Sequence, residues 1–124
     1  MAAANEFVEY VVDQLAGFGP LAPRRMFGGH GLFSRGVMIA LIAGDTLFLK
    51  VDDRNRPDFE AAGMEPFSYE TKAGRRGVMS YYEAPPDVVE DPDALAGWAA
   101  KAADAALAAD RAKARKKPAK RDRT

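Results

Sequence analysis

The chain predicts an α+β domain, one antiparallel five-stranded sheet flanked by helices in the order α-βββ-α-ββ-α. Three observations carry that prediction. The stretch Val37–Ala43 is apolar without interruption, whereas a strand with one wet face alternates apolar and polar residues. It is bounded by two short glycine-bearing turns, Ser34-Arg35-Gly36 and Gly44-Asp45, and loops this short join antiparallel neighbours. Helically spaced apolar residues stand near both ends of the chain.

The first helix is expected to start at Asn5, a capping residue, with Glu6 and Glu9 near its positive end. Phe7, Val11, Leu15 and Phe18 form its apolar stripe, with Val8 and Val12 alongside, and Gly17, Gly19 and Pro20 stop it. Strand one is expected to begin near Arg24, to break or bulge at Gly28-Gly29, and to continue through Phe33. Val37–Ala43 is the second strand. Thr46 to Val51 is the third, with Leu47, Leu49 and Val51 on one side and Thr46, Phe48 and Lys50 on the other.

Asp52-Asp53-Arg54-Asn55 opens a short second helix that tolerates Pro57 in its first turn. Phe59, Ala61 and Ala62 are its packing residues, and Gly63 ends it. Phe67-Ser68-Tyr69 and Val78 to Glu83 read as the last two strands, joined by the basic loop from Lys72 to Gly77 and closed by Pro85-Pro86. Asp91-Pro92-Asp93 starts the last helix, whose alanine-rich stripe (Leu95, Trp98, Ala102, Ala105, Ala109) runs to about Asp110.

The 124 residues fit one domain at residues 1–110, followed by a basic tail at 111–124. The tail holds eight basic residues (Arg111, Lys113, Arg115, Lys116, Lys117, Lys120, Arg121, Arg123) and one acid, so the net neutral chain divides into a body at −7 and a tail at +7. Low in complexity and without an apolar anchor beyond alanine, the tail reads as disordered in isolation, and as a source of salt-sensitive, sequence-blind nucleic-acid contacts or of solubility. The absence of cysteine excludes disulfides and thiol chemistry. No stretch reads as a secretory signal or a membrane span, so no membrane partner is expected and the expected setting is the cytoplasm.

No residue pattern names a chemistry. Gly28-Gly29 with Gly31 leads into strand rather than a helix, which favours a bend over a phosphate loop. His30, the single histidine, would need Ser34 or Ser80 as nucleophile, or Asp52, Asp53 or Glu83 as co-ligands; neither serine has a nucleophile-elbow context and no helical ligand spacing is present. Asp52 and Asp53 read as caps of the second helix. Arg24-Arg25 and Arg75-Arg76 would grip an anion only if both pairs reached one end of the sheet. No catalytic residue, metal site or cofactor is therefore expected.

The aromatics are more informative. Phe33, Phe48, Phe67, Tyr69, Tyr81 and Tyr82 cannot all face one helical layer, because alternate strand residues point to opposite sides. An acidic body disfavours a base-stacking platform, whereas a subunit interface uses these residue types. Phe33, Phe48, Tyr69, Tyr81 and Tyr82 are the expected dimer or partner surface. The doubly apolar middle strand points the same way, since local helices supply one covering layer and a second copy would supply the other.

At MFGGHGLF, VMIALIAGDTLFLKVDD, RPDFEAAGMEPFSYE and VMSYYEAPPDVVEDPDALAGWA the chain resembles the TfoX N-terminal domain family, small bacterial proteins related to the competence regulator TfoX, also called Sxy. The likeness covers roughly residues 5–108. It implies a secretion-chaperone-like sheet and helix arrangement that tends to dimerise, and a role in transcriptional control of DNA uptake exerted through other proteins. At the position of His30 the family often has tyrosine. The resulting expectation is a non-enzymatic regulatory or adaptor protein acting as a homodimer with a regulatory protein partner. The alternative is a small-molecule or peptide-binding module with a pocket between sheet and helices, lined by Phe27, Phe48 and Trp98.

Overall fold

The computed structural model describes the backbone of residues 2–26, 29–70 and 76–121, and the side chains of these except at 2–5, 69–70, 76–79 and 114–121. The elements are α1 (Ala2–Gln14), β1 (Ala22–Met26), β2 (Gly29–Ser34), β3 (Val37–Ala43), β4 (Thr46–Lys50), α2 (Arg56–Ala61), β5 (Pro66–Glu70), β6 (Arg76–Glu83), α3 (Pro86–Val89) and α4 (Pro92–Arg121). The sheet is antiparallel, in the order β1-β2-β3-β4-β6-β5.

The sheet has six strands rather than the expected five. Arg24 to Phe33 is not one interrupted strand. Met26 pairs with Gly29 and Ala22 with Phe33, so the chain reverses between Met26 and Gly29; Phe27 and Gly28 lie outside the described residues. Gly29 permits this hairpin to lie against β3, because a Cβ there would stand 2.0 Å from the carbonyl oxygen of Ile42. β2 and β3 are joined through Arg35 (φ 54°) and Gly36 (φ 82°), between the paired Ser34 and Val37. Two positive φ angles in a two-residue loop mark a type I′ turn, whose twist suits the strands it joins.

A β-bulge explains the long apolar run of β3. The register between β2 and β3 shifts where Leu32 pairs with Ala40 and Phe33 with Met38, leaving Ile39 as the extra residue. That shift resets the alternation, so Ile39, Ala40 and Ile42 all enter the core on the helix side, with Val37 packed against it. Leu41 faces the other way, opposite Gly31 and Phe48. Ile39, Ala40, Leu41 and Ile42 are each at most 1% exposed within this single chain. The expectation that a second molecule is needed to dry this strand is therefore corrected.

Buried side chains from all four helices (Val8 and Val11; Phe59; Val88; Leu95, Ala99, Ala102 and Ala106), with Leu15 just after α1, join Leu32, Ala40, Ile42, Leu47 and Leu49 in one core. The alanines of α4 let its backbone approach β3 and β4. Asp91 caps α4 as expected, its Oδ1 accepting from the backbone N–H of Asp93 (3.1 Å) and Ala94 (3.3 Å). The helix does not stop near Asp110; helical backbone continues to Arg121, so the change in composition at residue 111 is not a break in secondary structure. α1 starts at Ala2, so Asn5 is not its cap.

In α2, Phe59 is buried while Ala61 and Ala62 are exposed, so only the first of the three expected packing residues packs. Its end is a Schellman motif: Met64 N–H donates to the Phe59 carbonyl (2.9 Å) and Gly63 N–H to that of Glu60 (3.0 Å), with Gly63 at φ 78°. α3 was not foreseen from Pro85-Pro86, although proline at the first helical position is a helix start.

Candidate functional site

All four helices contribute to the core on one side of the sheet; the side chains that point the other way make a surface of their own. Cross-strand pairing places Arg24, Gly31, Leu41, Phe48 and Glu83 in a single row across β1, β2, β3, β4 and β6, and directly paired residues share a face. Leu41 is at the centre of that row. Phe33 and Met38 are paired beside it.

Side-chain contacts confirm the face. The Arg24 guanidinium lies 5.2 Å from the centre of the Phe33 ring. Phe67 meets Phe48 edge-on, ring centres 5.0 Å apart. Met26 and Met38 bring their sulfurs to 3.1 and 2.6 Å from where a Gly31 Cβ would be, so the methionines roof the space that glycine leaves. Met26, Phe33, Met38, Phe48 and Phe67 are half-buried. Together they form an apolar, ring-rich surface, and at its Met26–Met38 end it borders α4, whose Ala106, Ala109, Asp110 and Lys113 share a cleft with those methionines.

The bulge leaves its mark at one end of this face. Pairing of β3 with β4 begins only at Ala40 and Leu49, and the Met38 carbonyl receives the Tyr81 hydroxyl at 3.3 Å. Burial pushes the Tyr81 phenol up to about 12. Lys50 Nζ lies 5.2 Å from the Tyr81 ring centre, and burial, then the charge of Lys113, lowers the pKa of its ammonium. A cleft of about 580 Å³ opens here, lined by Met38, Lys50, Ser80, Tyr81, Asp110 and Lys113 among others.

Of the five expected surface residues, Phe33, Phe48 and Tyr81 point to the helix-free face, but Tyr81 is 6% exposed and so is buried rather than a surface group. Tyr82 does not. It pairs with Leu49, is packed against the core and tilts against Phe59 at 5.7 Å. The Tyr69 side chain lies outside the described residues. Met26 and Met38 were missed: Met38 stands in an apolar run that carries no mark of its face until the bulge decides it, and Met26 follows two arginines at the end of β1. Of the basic tail, Arg111 and Lys113 are exposed on α4, while the side chains of Arg115, Lys116, Lys117, Lys120 and Arg121, and all of Arg123, lie outside the described residues.

The groups weighed for chemistry are dispersed. His30 pairs with Arg25 and Ile42, on the side of the sheet opposite the aromatic face, and its Nδ1 is buried with no hydrogen-bond partner among the described residues. Asp52 is held by Arg54 (2.7 Å) and Asp53 by Arg56 (2.7 Å); hydrogen bonding from Arg54 draws the Asp52 carboxyl below its ordinary pKa. Neither aspartate caps α2. Asn55 occupies the N-cap position, but its side chain turns back, accepting from Asp52 N–H (2.8 Å) and donating to the Lys50 carbonyl (3.0 Å).

Among the described residues no three His, Cys, Asp or Glu side chains gather as a metal site. Arg24 and Arg25 lie on the β1 edge and Arg76 at the start of β6, near the opposite edge, so the arginine pairs do not converge; Arg75 lies outside the described residues. Phe48 and Trp98 are on opposite sides of the sheet, Trp98 edge-on against Phe59 at 4.8 Å, and cannot line one pocket; Phe27 lies outside the described residues. No helix among the described residues is long and apolar enough to cross a membrane.

Residues 13–106 match the TfoX N-terminal domain. No curated protein matches the chain.

Proposed function

The chain belongs to the TfoX N-terminal domain family, a competence-related regulatory family, and from that premise we propose that it is a non-enzymatic adaptor acting through protein–protein contacts as a homodimer. Its role is in transcriptional regulation of competence with a regulatory protein partner, and the basic C-terminal segment adds weak, sequence-blind nucleic-acid affinity. The setting of that role is the cytoplasm. The observation that supports this reading is the helix-free sheet face, on which Phe33, Met38, Phe48 and Phe67 are gathered by strand register. It does not depend on the burial of β3, which one chain completes. A half-buried layer of rings and thioethers with charges at its margins has the make-up of an interface core with a polar rim.

Two measurements on the full chain test the reading. Sedimentation equilibrium gives the mass at micromolar concentration, and a dimer is expected. Affinity capture from the native cell extract, with and without residues 111–124, separates protein partners held by the domain from nucleic acid held by the basic segment. A chain that stays monomeric on concentration, and captures no regulatory protein, would overturn the proposal.

A further inference from the structure

We infer that the second copy docks on the helix-free sheet face about a twofold axis lying between the two sheets, parallel to β3 and passing over Leu41, so that Arg24 of each chain meets Glu83 of the other. This rests on the homodimer proposed above and adds the surface, the symmetry and the pairing that sets its register.

The row Arg24–Gly31–Leu41–Phe48–Glu83 carries the argument. Arg24 on β1 and Glu83 on β6 are each two strands from β3, one basic and one acidic, with no charge between them in the row. Two identical sheets packed face to face must be related by an axis in the plane between them, since an axis normal to the sheet would leave both faces pointing the same way. An axis along the strands exchanges the two ends of the row. It sets Arg24 over Glu83 twice and Phe48 over Gly31, where Met26 and Met38 supply flexible thioether contacts; Leu41 lies beneath the axis in each copy, already buried by its own chain. An axis along the row would instead set Arg24 over Arg24 and Glu83 over Glu83, two like-charge contacts. Face-to-face sheets keep their strand directions within about 30° of each other, which both axes satisfy, so the charges decide between them.

Both charges are available for this. Arg24 is exposed, lying along the face over Phe33, and no ion pair engages Glu83 among the described residues. The edges offer no competing mode through β1, whose Pro23, Arg24 and Arg25 discourage strand addition.

The test is a charge exchange followed by sedimentation equilibrium on full-length chains, with circular dichroism to verify folding. R24E alone and E83R alone each place like charges together twice and are expected to weaken the homodimer at least about tenfold. Mixing the two variants is the decisive arm: a heterodimer of one R24E chain with one E83R chain has opposite charges at both contacts and is expected to form where neither variant pairs with itself. The double variant in one chain is expected to dimerise as the wild type does. A wild-type dimer that both single variants retain overturns this interface and leaves the homodimer standing. A wild type monomeric up to about 100 µM overturns both, since a specific pair is tighter than that. If one single variant loses its fold, the remaining single variant and the double variant still decide: loss of the dimer in the first with recovery in the second supports the interface, and retention in the first overturns it.

Discussion

The Tyr81 hydroxyl reaches across β4 to donate to the Met38 carbonyl of β3 at 3.3 Å. The two strands are not neighbours. The bulge at Ile39 takes Met38 beyond the last β3–β4 pair, and Tyr81 answers the carbonyl left over. A side chain thus closes an account that the ladder leaves open.

Tyr81→Phe should therefore destabilise the domain by roughly 1–2 kcal/mol at neutral pH, the usual range for stranding a buried acceptor. The pH dependence has a definite sign. Burial raises the folded phenol to about 12 from an ordinary 10.0, so its contribution is complete below pH 10 and is lost as pH rises toward 12, where the unfolded chain ionises first. Urea titrations of wild type and variant at intervals from pH 8 to 11.5 should show the wild-type advantage shrinking across that window. A constant gap would contradict the assignment.

Arg35 offers a prediction of the opposite sign. Its φ of 54° is a conformation asparagine and glycine adopt more readily than a long side chain does. Arg35→Asn or Arg35→Gly should raise stability by about 0.5–1 kcal/mol through a better I′ turn. A fall in melting temperature for both variants would mean that the Arg35 side chain makes a contact worth more than the backbone strain.

What could be read from the sequence followed from period and punctuation. The stripe Val8, Val11, Leu15, the alternation Leu47, Leu49, Val51 and the Asp91-Pro92 start were legible because each is local. The second layer over β3 was misjudged because an unbroken apolar run cannot distinguish a strand buried twice over by separate layers from one re-phased by a bulge. Nor did Gly28-Gly29 reveal a reversal, since glycine serves bulge and turn alike. Tyr81 and Tyr82 show the same limit at the site: adjacent tyrosines must face opposite sides, but which of them meets the helices is set by the β4–β6 register.

Gly29→Ala should be strongly disruptive although Gly29 is not among the glycines with positive φ. Its Cβ would stand 2.0 Å from the Ile42 carbonyl oxygen and 3.3 Å from the Ala43 Cα, backbone atoms that cannot turn aside. Overpacking of this kind costs about 1–3 kcal/mol or more. Gly31→Ala meets methionine sulfurs and a ring edge instead, and should cost less. Equal losses in chemical denaturation would contradict the distinction between rigid and movable neighbours.

Asn55 is 3% exposed and ties the end of β4 to the entry of α2. Asn55→Ala leaves the Lys50 carbonyl and Asp52 N–H unanswered and should cost roughly 2–3 kcal/mol. Asn55→Asp keeps the acceptor for Asp52 N–H but turns an oxygen toward the Lys50 carbonyl, so it should rescue little. Equilibrium unfolding of the three proteins would check the order, with wild type most stable; a fully stable aspartate variant would refute the role given to Nδ2.

Among the described residues, none of the basic segment belongs to the core. Among the described side chains of α4 the last buried one is Ala106, at 3% exposure, so truncation after Asp110 should leave the melting temperature nearly unchanged. It removes eight of the 18 basic residues and leaves an acidic body, which disfavours phosphate backbones. Retention of the full chain on a DNA or RNA column should weaken steeply with salt, with each neutralised phosphate adding about 0.9 to the slope for duplex DNA, and the truncated chain should pass through. It also takes away Lys113, which with burial holds the Lys50 ammonium down; the Lys50 pKa should rise on truncation but stay below its ordinary value, because burial is the larger cause. Unchanged retention by the truncated chain would remove nucleic acid from its partners while leaving the sheet-face dimer untouched, since Arg24, Leu41 and Glu83 all lie outside the deleted segment.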